Sequence, residues 1–263
     1  MKHIKIFIFS AFALVSAITV RTIQLLFLTD SKTGFYKEGM EGVGTALMVL
    51  LIVAIAIAST LVFMFNKEKL SPVPSSSAFL GCAALFAGIA NIAEPFLNEI
   101  SLSTVPTLLL GLRTIMILAA GVVFCWYGIA ILFGAKLHAS LSIILVTTWV
   151  VRLMSSFICF TGMSNISENL YDVLMLISTL VFLLLFGKAV CKISHSETNR
   201  KLFATGIAAV LFTAASSIPC IIAYLASDFA FIHIPVDSPI TGIFMAFFIA
   251  VYLVDICKKK ASE

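Results

Sequence analysis

Charge is what this sequence has least of. Only 11% of its 263 residues are Asp, Glu, Lys or Arg, whereas a soluble domain carries about 25%. A water-soluble globule is excluded on that count. Motifs that would announce a known chemistry are missing too. There is no HExxH for an intramembrane metalloprotease, no Gly-x-Ser-x-Gly elbow and no phosphate-binding loop. The paired-glutamate-plus-arginine pattern of membrane prenyl proteases is absent, as is the carbonyl-lined potassium filter. No lysine lies deep in the last hydrophobic segments, where a retinal Schiff base would need one. These absences count against an enzyme or a channel. The six cysteines (Cys82, Cys125, Cys159, Cys191, Cys220, Cys257) form no CxxC pair and have no histidine at ligand spacing. They read as small apolar residues, so neither a metal nor any other cofactor is implied.

What the chain has instead is apolar length. Hydrophobic residues make up 61% of it, and the mean hydropathy is +1.12. Apolar runs recur from end to end, many near the roughly 20 residues that cross a bilayer as a helix. They are continuous rather than alternating, which excludes a transmembrane barrel. Eight spans are expected: Ile4–Leu28, Gly44–Phe65, Ala78–Ala93, Thr107–Phe133, Leu141–Phe160, Leu170–Ala189, Phe203–Leu225 and Ile240–Ile256. The fold class is all-α, a polytopic bundle of about eight transmembrane helices, with residues 1–263 as one transmembrane domain.

Lysine and arginine set the orientation. With a cytoplasmic N-terminus, the inner segments hold Lys2, Lys5, Lys67, Lys69, Lys136, Lys188, Lys192, Arg200, Lys201, Lys258, Lys259 and Lys260, against Lys32 and Lys37 outside. That bias puts both termini inside and, in this reading, the chain in a bacterial cytoplasmic membrane. The net charge of +4 comes from these short clusters, so it implies membrane lipid and not nucleic acid as a partner. A rival treats "MKHIKIFIFSAFALVSA" as a signal peptide cleaved after Ala17, leaving seven spans. The apolar run continues to Leu28, longer than a signal peptide needs. A parallel four-plus-four repeat is also suggested. "AITVRTIQLLFLT" in span one resembles "TTWVVRLMSSFICFT" in span five, and spans two and six run alongside each other similarly.

Three arginines remain inside the spans: Arg21, Arg113 and Arg152. A charge at the bilayer centre costs at least about 2.5 kcal/mol, so each must face protein or water. Arg21 lies seven residues before Leu28, about 10 Å below the outer end of its span at 1.5 Å per residue. Arg113 and Arg152 also fall in the outer half. Other polar groups share that level: Gln24 near Arg21, Asp172 and Tyr171 at the start of span six, and the pair Asn91 and Glu94, three apart and so on one helix face. That face continues through Gly81, Ala84 and Gly88, a stripe suited to close helix packing. Span seven carries Thr213, Ser216 and Ser217 beside Pro219, either as backbone partners around the proline or as a hinge. The inner halves hold almost nothing ionisable, so an apolar floor is expected.

The expected site is therefore an outward-facing polar cavity lined by Arg21, Gln24, Asn91, Glu94, Arg113, Arg152 and Asp172. Guanidinium forks match carboxylate or phosphate, so the implied guest is an anionic small molecule or a lipid headgroup. Glu94 and Asp172 would orient the arginines or carry a coupling proton. Two alternatives stand beside this transporter-like reading. In one, the charges staple the bundle and the protein is an assembly subunit. In the other, a membrane enzyme acts on lipid or peptide, which requires contact such as Glu94 with Ser155. In the first outer loop, Lys32–Gly34 reads as a turn, with Phe35 and Tyr36 at the interface.

Overall fold

Helix formation here follows from the solvent. In a bilayer each backbone N–H and C=O must be satisfied within its own segment, and a single apolar run can do that only as a helix. The computed structural model describes residues 2–30, 35–65, 77–97, 107–135, 138, 140–161, 167–191, 196–226 and 239–261. The Lys32–Gly34 turn lies outside them. All eight expected spans are helices: α1 (Lys2–Ile23), α2 (Glu41–Phe65), α3 (Ala78–Leu97), α4 (Thr107–Leu132), α5 (Leu141–Thr161), α6 (Ser167–Val190), α7 (Ser196–Ala226) and α8 (Pro239–Ala261). Each is long and apolar enough to cross a membrane. The chain is a multi-pass membrane protein.

Several helices outrun their hydropathic limits. α3 continues past Ala93 through Glu94 and Pro95 to Leu97, and α7 starts at Ser196, seven residues before Phe203. Hydropathy marks where lipid ends, whereas a helix continues into water while its ends are satisfied. At α1 the last turn, Gln24–Leu28, widens into a π-helix. α4 stops at Gly134, whose positive φ of 67° turns the chain so that Ala135 N–H reaches back to Ala130 O, a glycine stop that satisfies the helix's last carbonyls.

Six helices close a ring. α3 packs on α4, α4 on α5, and so on through α8, which returns to α3. α1 and α2 stand outside it, packed on α7 and on each other. α7 is thus the shared wall, with 72% of its span buried against 22% for α1 and for α2. The suggested repeat has unequal halves in space, since α1 and α2 are peripheral while α5 and α6, their sequence counterparts, belong to the ring.

Glycine brings α3 and α4 together. A Cβ on Gly88 would sit 2.8 Å from Gly121 O, and one on Gly128 would sit 2.8 Å from Gly81 O. The two helices therefore meet backbone to backbone in one antiparallel register, which carries the last turn of α3 to the outer end of α4. Beneath that level the ring is filled by aromatic rings. Phe186 lies 5.1 Å from Tyr252, 6.1 Å from Tyr127 and 6.1 Å from Phe248, centroid to centroid, and Phe124 lies 5.3 Å from Phe248. These buried side chains make the apolar floor.

Candidate functional site

The seven side chains singled out from the sequence are all buried, with exposures from 0 to 3%. Where the sequence leads one to expect a hollow open to the outside, this conformation closes these groups off from water. They stand in three groups.

The first group joins α3, α4 and α5. Asn91 and Glu94 share the inner face of α3, as their spacing requires. Arg152 Nη2 donates to Glu94 Oε2 and, at 3.3 Å, to Asn91 Oδ1. Arg113 Nη2 lies 3.8 Å from the other oxygen, Glu94 Oε1. One carboxylate thus faces two guanidiniums. Asn91 is itself fixed, because its Nδ2 donates to Ala87 O at 2.7 Å. Trp149, one turn before Arg152, lies under the guanidinium at 4.9 Å, a cation–π contact. Ser155, which an enzymatic reading would pair with Glu94, gives its hydroxyl to Val151 O in its own helix at 2.8 Å.

The second group ties α1 to α2 and α6. Arg21 Nη1 donates to Gln24 Oε1 at 2.6 Å. Gln24 Nε2 donates to Gly44 O at 2.9 Å and to the Tyr36 hydroxyl. The Arg21 guanidinium lies 3.9 Å over the ring of Tyr171. Tyr36, half-buried, is thus also part of the seam. An antiparallel bridge between Thr29 and Tyr36 folds it back, and Gly44 admits its ring, since a Cβ there would lie 2.4 Å from it. The neighbouring Phe35 stays exposed.

In the third group Ser216 Oγ of α7 donates to Asp172 Oδ1 of α6 at 2.7 Å. Ser217 Oγ lies 3.9 Å from Met175 Sδ, one turn further along α6.

Between the first and third groups lies a small cavity inside the ring. Arg152 and Trp149 of α5, Thr179 of α6, Thr213 of α7, and Thr241 and Gly242 of α8 line it with apolar neighbours. Its volume is about 10 Å³. Gly242 brings α8 against α7, because a Cβ there would lie 2.0 Å from Ser217 Oγ. Thr241 also reaches α3, donating to Ala90 O at 3.4 Å.

Arg152 is the one expected site residue on this lining. Asn91 and Glu94 bond to it directly and Arg113 joins it through Glu94, Asp172 is tied between α6 and α7, and Arg21 and Gln24 serve the α1–α2 seam. Sequence reading missed Trp149 as an arginine platform, although its three-residue spacing carried the signal. It also missed Thr179 and Thr241, since single threonines in apolar helices carry no such pattern. Among the described residues no group of three or more His, Cys, Asp or Glu could hold a metal ion. No protein-family model, curated protein or solved structure matches this chain.

Proposed function

We propose that the protein is a transporter-like or ligand-binding protein of a cell membrane, read here as bacterial, with its site in the closed state. The observation that carries this is Arg152, which borders the ring's cavity while its guanidinium is held by Glu94 and Asn91. Its neighbours on the cavity wall come from α5 to α8, its ionic partner Glu94 comes from α3, and Glu94 in turn faces Arg113 of α4. A guest there touches, directly or through Arg152, every helix of the ring. Differential contact of that kind is what shifts a conformational equilibrium.

The implied cycle exchanges partners on Arg152. When the ring parts, an incoming anion competes with the Glu94 carboxylate for the guanidinium, whose fork accepts either. A proton on Glu94 would free Arg152 in the same way, coupling the guest to a proton. Proline in α3 (Pro95) and α7 (Pro219) breaks the backbone ladder where such parting would bend the helices.

The test compares Arg152→Met and Arg113→Met in proteoliposome uptake and binding assays, using chloride, acetate and phosphate. Loss of anion binding by folded Arg152→Met protein is expected, with a smaller loss in Arg113→Met. Undiminished binding by both would reject the cationic site.

A second reading is favoured by the 0 to 3% exposures: the charges staple the bundle, and the protein assembles with a partner. Thr241→Cys in a background without the native cysteines separates the two. A small thiol reagent reaches that position at intervals in a transporter and never in a staple.

A further inference from the structure

The cavity wall has a chemical bias beyond its size. Thr179 and Thr213 stand with their hydroxyls 3.3 Å apart. That bond is the only one either makes among the described residues. Whichever oxygen accepts keeps a proton unspent, on a residue 1% exposed. This is not the habit of threonine in this bundle. Thr22, Thr114 and Thr205 each donate to the carbonyl four residues back, the usual local outlet for a helical hydroxyl. Arg152 lines the same cavity, and its guanidinium has donors and no acceptor.

Such a wall selects by charge. A metal cation needs oxygen ligands, preferably carboxylate or carbonyl, and meets a guanidinium instead. Water is at the limit by volume, since a cavity needs about 10 to 15 Å³ or more to hold one molecule. It must, however, place two protons of its own, and apart from the threonine oxygens the wall offers sulfur and apolar carbon. An anion spends acceptors only. Size then favours a monatomic anion, because a carboxylate or phosphate has several heavy atoms and a space this small must widen least for a single one.

We propose that this small cavity holds a single halide-sized anion, of which chloride is the plain case. This rests on the anion-site reading above and narrows it. Arg152 supplies the charge, and the Thr179–Thr213 pair supplies a hydroxyl donor.

Trp149 on the wall provides the readout, because heavy halides quench tryptophan. The chain has two tryptophans, and Trp126 is exposed on the bundle surface. Trp126→Phe protein in nanodiscs therefore reports on Trp149. Bromide and iodide should quench it saturably, chloride should relieve the quenching by competition, and acetate and phosphate should not. Thr179→Val should weaken bromide about tenfold, as expected for a lost hydrogen bond to a charged group. Thr179→Ser, which keeps the hydroxyl, should bind as before. Quenching that rises linearly without saturation, or that is absent, overturns the halide site. If acetate or phosphate binds instead and Arg152→Met abolishes that binding, the anion-site reading stands and the halide inference alone fails. If no anion binds and Arg152→Met changes nothing, both fail.

Discussion

Arg152 and Arg21 are the same residue at a similar depth, and the molecule buries them differently. Arg152 sits inside the six-helix ring against a carboxylate from another helix, with Arg113 on the far side of that carboxylate. Arg21 sits at the seam between the ring and the α1–α2 pair, where its bonds shown here go to a neutral amide and the face of a tyrosine. The first arrangement is charged, shared among three helices and next to a cavity. The second is a relay of dipoles, Arg21 to Gln24 to α2, that fastens a peripheral pair to the bundle. A polar group in a membrane helix therefore does not declare its purpose by depth alone. What it touches and whether a hollow adjoins it separate a candidate site from a fastening.

The contrast breaks most visibly at Glu94. Removing one partner of a buried ion pair costs about 3 to 5 kcal/mol, because the remaining charge stays buried. Glu94→Gln leaves two guanidiniums facing an amide and should show the largest loss of thermal stability in detergent of any substitution considered. The double variant Glu94→Gln/Arg113→Met removes one cation as well and should recover part of it. If Glu94→Gln unfolds no earlier than the parent, the trio is not the electrostatic centre of the ring.

A smaller effect tests how the ring brings those charges together. Gly88→Val drives side-chain atoms into the α4 backbone near Gly121, an overpacking that costs about 1 to 3 kcal/mol. It should also weaken anion binding, since the α3–α4 register carries Glu94 toward Arg113. Gly111→Ala is the matched control. A Cβ there meets nothing within 4 Å, and alanine favours a helix over glycine by about 1 kcal/mol, so melting should stay level or rise. Equal damage from both would mean that glycine serves helix flexibility here and not contact.

Much of this was legible in the chain because hydropathy is additive along it. The eight helices, the shared face of Asn91 and Glu94, and the apolar floor need only local composition and a period of 3.6. Lateral order needs more. Apart from the few polar positions named above the eight helices are apolar all round, so nothing in their patterning says that α3 closes the ring on α8 or that α1 and α2 stand outside it. The partner of Gly88 could have been read, since Gly121 and Gly128 repeat the seven-residue spacing of Gly81 and Gly88. The cavity could not. Its wall is drawn from four helices, α5 to α8, and where their side chains meet is a relation between helices that no single segment carries.

Gln24 sharpens the comparison on the peripheral side. Gln24→Ala withdraws the amide that both accepts from Arg21 and donates to Gly44 O, leaving buried groups unsatisfied at about 1 to 3 kcal/mol. Because neither Arg21 nor Gln24 lines the cavity, anion quenching of Trp149 should be unchanged while the α1–α2 pair loosens, measured as faster hydrogen exchange in α2. A parallel loss of anion binding would tie the seam to the site and erase the distinction between the two arginines.

The smallest effect concerns the tyrosine under Arg21. If the ring face is what holds the guanidinium, Tyr171→Phe keeps the contact and Tyr171→Leu removes it. A cation–π pair is worth about 0.5 to 2 kcal/mol, more when desolvated, and leucine fills a similar apolar space without the quadrupole. Tyr171→Leu should therefore melt earlier than Tyr171→Phe by about 1 kcal/mol, with α2 exchange again faster and Trp149 quenching again intact. The reverse order, with phenylalanine the more damaging, would assign the anchoring to the Tyr171 hydroxyl and not to its ring. The fastening would then depend on hydrogen bonding as the Arg152 group does, and the difference between the two regions would rest on the carboxylate alone.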